Sequence, residues 1–166
     1  MGLNTTPGTW TPGTIITAPD MNREIRDPLT GLQAAWSNYS PTWGASTNPA
    51  IVNGTIAGSY LQIGKTIHFK VAITMGSSTT YGSGAYTITL PVAPVVQNAL
   101  PFVGELYDSS ANANYPLWWT MSGSGTVFCK TLPSTAGNGF VNVTSTVPVT
   151  LATGDILIAS GTYEAA

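Results

Sequence analysis

His68 is the only histidine in the chain, so any Ser–His–Asp or Cys–His arrangement must be built on it. It falls in a run where Ile67, Phe69, Val71, Ile73 and Met75 alternate with Thr66, His68, Lys70, Ala72 and Thr74. A period of two places His68 on the polar face of a strand, between Thr66 and Lys70, which is the setting of a surface or interface histidine. Cys129, the only cysteine, lies in Thr-Val-Phe-Cys-Lys-Thr with Lys130 as its one basic neighbour, and is expected to be a buried, inert thiol. A lone cysteine also leaves no internal disulfide framework and no cysteine-based zinc site. After residue 38 the acids are Glu105, Asp108, Asp155 and Glu164. Glycoside hydrolysis needs two carboxylates facing one cleft, whereas Glu105 and Asp108 are three apart near a strand end and should point to opposite faces. The stretch from Asp108 to Asn114 offers oxygen ligands but lacks the carboxylate density of a calcium site. No catalytic residue, metal ligand or cofactor is expected.

Aromatic side chains offer the other chemistry. Trp118 and Trp119 are adjacent, so in a strand one faces the core and the other faces out. An outward tryptophan beside Tyr115 and Asn114 would stack on a sugar ring, or pack against a neighbouring subunit, since aromatics are enriched in interface cores; the sequence leaves both open. Trp10, Trp36 and Trp43 have the look of anchors, either into a larger particle or onto the chain's own β domain.

The elements that must position these residues are mostly strands. The 166 residues fit one domain with an appendage. Five basic and seven acidic residues make up 7% of the chain, against about 25% in an ordinary soluble domain. Hydrophobic residues reach 43%, which excludes disorder. With 18 glycines and 12 prolines and many hydroxyl residues, this is the composition of a β protein whose exposed positions carry Thr and Ser instead of charge. Strands are expected at 54–62, 65–75, 85–90, 102–107, 117–121, 126–132, 140–144 and 155–162. Glycine-rich turns separate them, at 63–65, 76–78, 82–84, 122–125, 136–139 and 153–155. About eight short strands argue an all-β fold, an antiparallel β-sandwich or jelly-roll-like domain.

The first 37 residues differ. Thr5-Thr6-Pro7-Gly8 and Thr11-Pro12-Gly13 flank Trp10 and suggest an extended arm through residue 14. Five of the charges follow within eight residues, at Asp20, Arg23, Glu24, Arg26 and Asp27. Thr17 with Asp20 reads as a helix N-cap and Pro19 fits the first turn. Ile16 is positioned to staple onto Met21. Met21, Ile25, Leu29, Leu32 and Trp36 form a stripe at helical spacing. Pro28 should end a first helix at Asp27, and a second short turn should run to Trp36. Residues 1–37 are therefore expected to be an arm and helix that anchor the protein or join copies, using Trp10, the stripe and Arg26; residues 38–166 form the β domain.

Charge excludes several functions. The formal net charge is −2 with no basic cluster, which disfavours nucleic-acid binding and a polybasic route to a membrane. No run of about 18 apolar residues is present, and the first residues carry neither a basic nor an apolar segment of a secretory signal.

The segment Trp36-Ser-Asn-Tyr-Ser-Pro-Thr-Trp43, followed by Asn48 to Tyr60, Ile63 to Phe69, Tyr81-Gly-Ser-Gly84 and Thr89-Leu-Pro91, resembles a module of tailed bacteriophages. That module recurs in minor tail and fibre-like proteins, particularly in phages of actinobacteria. Upstream, the stretch from Thr9 to Asp27, where a Trp-x-x-Gly segment leads into a helix carrying Asn22 and the Arg26-Asp27 pair, resembles the opening of many phage virion proteins. The resemblance covers residues 9–91. It implies a non-enzymatic virion protein made in the host cytoplasm and displayed on the particle, as a minor tail or fibre-type subunit or a capsid decoration. It also implies a homotrimer whose partners are its own copies and other virion proteins. Host attachment through a surface glycan is the alternative role, which a free carbohydrate-binding module would share.

Overall fold

The computed structural model describes residues 8–32, 35–95, 101–122, 125–132 and 139–166. Among the described residues ten strands follow in chain order: β1 (Ser37–Tyr39), β2 (Trp43–Gly44), β3 (Thr55–Ile63), β4 (Thr66–Thr74), β5 (Thr87–Thr89), β6 (Pro101–Asp108), β7 (Ala113–Ser122), β8 (Thr126–Thr131), β9 (Val141–Asn142) and β10 (Ile156–Glu164). The all-β antiparallel domain expected from the alternation is what forms. Of the expected turns, Gly123, Ser124 and residues 136–138 lie outside the described residues.

The strands hydrogen-bond in the order β1-β3-β4-β10-β6-β7-β8-β5-β2, with β9 on β8. β3 and β4 form the expected hairpin around Gly64, which takes φ +59°. The last strand takes a central place: β10 pairs with β4 from Ile156↔Thr74 to Glu164↔Thr66, and with β6 on its other side. Inward residues follow the period of two. Ile67, Phe69, Val71, Ile73 and Met75 are buried, as are Phe102 and Leu106, Leu117, Trp119 and Met121, Val127 and Cys129, and Leu157, Ala159 and Tyr163. They form one core cluster.

The two edges of the sheet, β1 and β2, are separated in sequence only by Ser40, Pro41 and Thr42. Four peptide steps from Tyr39 to Trp43 span at most about 14 Å, so the sheet must curl until its edges almost meet. The walls that face each other across the core thus belong to one sheet. The bridging segment is bonded as it crosses: the Thr42 N–H donates to Thr89 Oγ1 (2.9 Å), the Thr89 N–H to the Thr42 carbonyl (3.2 Å), and the Tyr39 hydroxyl to the Thr89 carbonyl (3.5 Å). Trp43 then enters the core and meets Tyr86 edge-on at 5.0 Å between ring centroids.

Curling crowds the inside of the sheet, and two strand glycines make room for aromatic rings. A Cβ at Gly104 would overlap the Ile158 carbonyl oxygen and lie 2.6 Å from Trp119 Nε1. A Cβ at Gly161 would overlap the ring of Phe102. Glycine in a strand interior marks such close approach. Trp119 lies over Gly104 and donates its indole N–H to the Ile158 carbonyl at 3.1 Å, two strands away.

The N-terminal segment corrects two expectations. The arm is not extended through residue 14: Pro12-Gly13 makes a turn, with Gly13 at φ +85° and the Thr14 N–H donating to the Thr11 carbonyl at 3.1 Å. Proline followed by glycine at the centre of a turn satisfies both special dihedrals. The chain before it folds back, so that the Gly8 N–H donates to Glu24 Oε2 at 3.0 Å; Thr5, Thr6 and Pro7 lie outside the described residues. Nor does Pro28 end the first helix. α1 (Ala18–Met21) and α2 (Asp27–Leu32) are joined by a π-helical turn at Asn22–Arg26. The Asp27 N–H reaches back to the Asn22 carbonyl, and the widened turn leaves Pro28 in the first turn of α2, where its missing N–H is tolerated. α2 is described through Leu32; of the expected turn to Trp36, Gln33 and Ala34 lie outside the described residues, and Ala35 and Trp36 are not helical. Thr17 and Asp20 form the expected capping box.

The two core tryptophans differ in one respect: Trp43 Nε1 is buried without a hydrogen-bond partner among the described residues, whereas Trp119 Nε1 is bonded. Trp43→Phe removes an unsatisfied donor along with some volume, while Trp119→Phe strips the Ile158 carbonyl of its indole donor. Trp119→Phe is expected to destabilise the fold by about 1–3 kcal/mol more than Trp43→Phe in urea unfolding. Equal losses would contradict the assignment.

Candidate interaction site

The helical segment buries almost nothing. Among the described residues, large exposed apolar side chains number twelve, and eight of them fall between residues 10 and 36. Trp10, Met21, Ile25, Leu29, Leu32 and Trp36 are each between 43% and 53% exposed, and Ile15 and Ile16 are exposed as well. The only buried residue in α1, the π-turn or α2 is Gly31. Met21, Ile25, Leu29 and Leu32 lie along the helical segment and Trp36 lies beyond it, all five exposed, and Ile16 and Met21 at the cap are both open to solvent.

Charges in this segment are satisfied locally. Arg23 bonds Glu24 at 2.7 Å and Asp20 at 3.3 Å, and Arg26 bonds Asp27 at 2.7 Å. Arg26 is therefore held by its sequence neighbour at the helix surface. The Thr17 hydroxyl and N–H, with a smaller contribution from Arg23, hold the Asp20 carboxyl below its ordinary range. At the end of the stripe Trp36 meets the β domain, with Lys70 Nζ 4.8 Å from its ring centroid, a cation–π contact. Beside it the outer face of the sheet carries a groove of about 250 Å³ lined by Asn38, Ala57, Ser59, Lys70, Ala72 and Ile158.

The second group of expected contact residues separates. Trp119 is buried, and Tyr115 packs partly buried against the same core. Trp118 faces outward and meets Phe140 at 4.6 Å between ring centroids, tilted by 53°. Tyr115 and Trp119 are four apart, so they share a face and Trp118 has the other; the expectation that Tyr115 lies beside the exposed tryptophan is corrected on that ground. Phe140, Val103 and Leu132 are exposed at 50%, 61% and 51%. Val103 alternates with the buried Phe102 along β6 and so faces outward. Phe140 lies beyond the end of β8, and only the fold brings it to Trp118.

His68 lies on the outer face of β4, with Nδ1 2.9 Å from the Thr162 hydroxyl of β10. Cys129 is fully buried, and burial pushes its thiol well above its ordinary range. Among the described residues no three His, Cys, Asp or Glu side chains gather where a metal could sit, and no helix is long and apolar enough to cross a membrane. The two buried acids serve as turn clamps. Asp108 Oδ1 accepts from the Ser110 hydroxyl (2.7 Å) and from the N–H groups of Ser110 and Ala111. Asp155 accepts from the Ser109 N–H, the Ser109 hydroxyl and the Ala152 N–H, tying the β6–β7 turn to the turn before β10.

The Ser110 hydroxyl, followed by the Ala111 and Ser110 N–H groups, holds the Asp108 carboxyl below its ordinary range. A lowered folded value contributes stability that is present above the unfolded value of about 3.9 and is lost as pH falls through the folded value. Asp108→Ala should lower the urea midpoint at pH 7, and the gap to the unsubstituted protein should narrow as pH falls below about 4. A gap that stays constant from pH 7 to pH 3 would contradict this.

Comparison with protein-family models, with curated proteins and with solved structures finds no match to this chain.

Proposed function

We propose that this chain is a non-enzymatic structural protein of a tailed-phage virion. It is an accessory subunit displayed on the particle, of minor tail or fibre type or a head decoration, attached through residues 1–37 with the β domain as its displayed body. The observation that carries this reading is the concentration of exposed apolar side chains in the N-terminal segment, next to a β domain whose core is complete without them. An isolated helix of this length is marginal in water and draws its stability from packing. Its charges are already paired within the segment, so the stripe meets its target through apolar contact. The resemblance over residues 9–91 supports the virion setting and a homotrimer as the working state. The outward Trp118 favours a second reading, a carbohydrate-binding module that touches a host glycan.

The double substitution Ile25→Asp with Leu32→Asp places charges in the stripe, where burial of an unpaired charge is costly. Light scattering of the full chain should show assembly weakened by about 100-fold or more in dissociation constant, and the variant should fail to join particles. A wild-type chain that is monomeric both at high concentration and on the particle would sink the proposal. Binding to a glycan array by monomeric protein, lost in Trp118→Ala, would favour the second reading.

A further inference from the structure

We propose that the outer face around Trp118 is an interface with a second copy of this chain, in which Glu105 of one copy meets Lys130 of the next. The inference rests on the reading of the chain as an assembling subunit and adds a second contact surface, distinct from the helix stripe.

The described β domain exposes four large apolar side chains, and three of them, Val103, Leu132 and Phe140, belong to the region of β6, β7 and β8. Register places Val103 opposite Trp118, and Trp118 opposite Lys130, in one row across the outer face. Phe140 leans on Trp118 from the far side. A clustered apolar patch with an aromatic centre is what interface cores are made of.

Charge selects the occupant. Glu105 stands on the outer face of β6, two residues from Val103. Lys130 stands on the outer face of β8, two strands across and two residues along, a separation of about 12 Å. Neither makes an ion pair among the described residues; the pairs seen there all lie within residues 20–27. A patch with one carboxylate and one ammonium that make no ion pair among the described residues, flanking an aromatic centre, carries no net sign, and is complementary to its own copy: when two such patches face each other, each Glu105 is offered a Lys130. The geometry is poorer for a sugar, because Phe140 already lies against the Trp118 ring at a tilt, and no flat open platform remains on that side.

The test uses the full chain with Glu105→Lys, Lys130→Glu and the double reversal, each followed by sedimentation over a concentration series. Each single reversal should raise the dissociation constant by about tenfold or more, and the double reversal should restore most of the loss. Single reversals without effect, or losses that add in the double variant, overturn the proposal. If the helix-stripe variant dissociates the protein while the reversals do not, this interface is wrong and the assembly reading stands. A chain that stays monomeric to on the order of 0.1 mM and binds glycans through Trp118 overturns both.

Discussion

The structure depends on one short connection. Ser37–Tyr39 forms one edge of the sheet and Trp43–Gly44 forms the other, with three residues between them. A chain that short cannot bridge the edges of a flat sheet this wide, given strands about 4.8 Å apart. The sheet is therefore curled, and the consequences run inward. Rings from neighbouring strands must pass over one another, so Gly104 and Gly161 stand where Trp119 and Phe102 need space. The reciprocal bonds between Thr42 and Thr89 and the buried Trp43 fix the closure. Closing the sheet also serves to limit free edge, which is the usual hazard of an antiparallel protein.

A sheet that closes on its own core has no inward place for the helical segment. The segment is attached at Trp36, immediately before the closing strand, and its apolar side chains point to solvent. The outer face of the sheet divides in the same way. Around Lys70 and Ala72 it is small, hydroxyl-bearing and grooved; around Trp118 it is aromatic and aliphatic. With 7% charged residues, the chain has few side chains to keep such surfaces apart, and low charge promotes association. Ionic groups do their work locally: three pairs brace the helix, and two carboxylates clamp the turns beside β6 and β10.

Much of the fold was legible because alternation is a strong signal where one face is buried. The run from Lys65 to Met75 carried its strand, its face and its hairpin partner openly. β1 and β2 were not legible as strands, because two or three residues carry no period, and their pairing is set by the closure. The Thr17–Asp20 cap was legible from two residues. The effect of Pro28 was not, because a widened turn can seat a proline that an α-helical register would reject. In the candidate surface, the apolar residues from Met21 to Leu32 and one outward tryptophan were readable, whereas Trp36 lies beyond the helical segment. Tyr115 shares the inward face of β7 with Trp119 because the two are four residues apart. The Trp118–Phe140 contact and the clustering of Val103 and Leu132 near it depend on strand order, which no local pattern encodes.

The proposed assembly covers the exposed apolar side chains of residues 21–32 in the working state. Hydrogen exchange of the backbone amides of residues 21–32 tests it most directly, measured on dilute protein and on the concentrated or particle-bound form. Rapid exchange when dilute and protection on assembly are expected, while amides of β4 and β10 are protected in both. Equally rapid exchange of residues 21–32 in both states would contradict it.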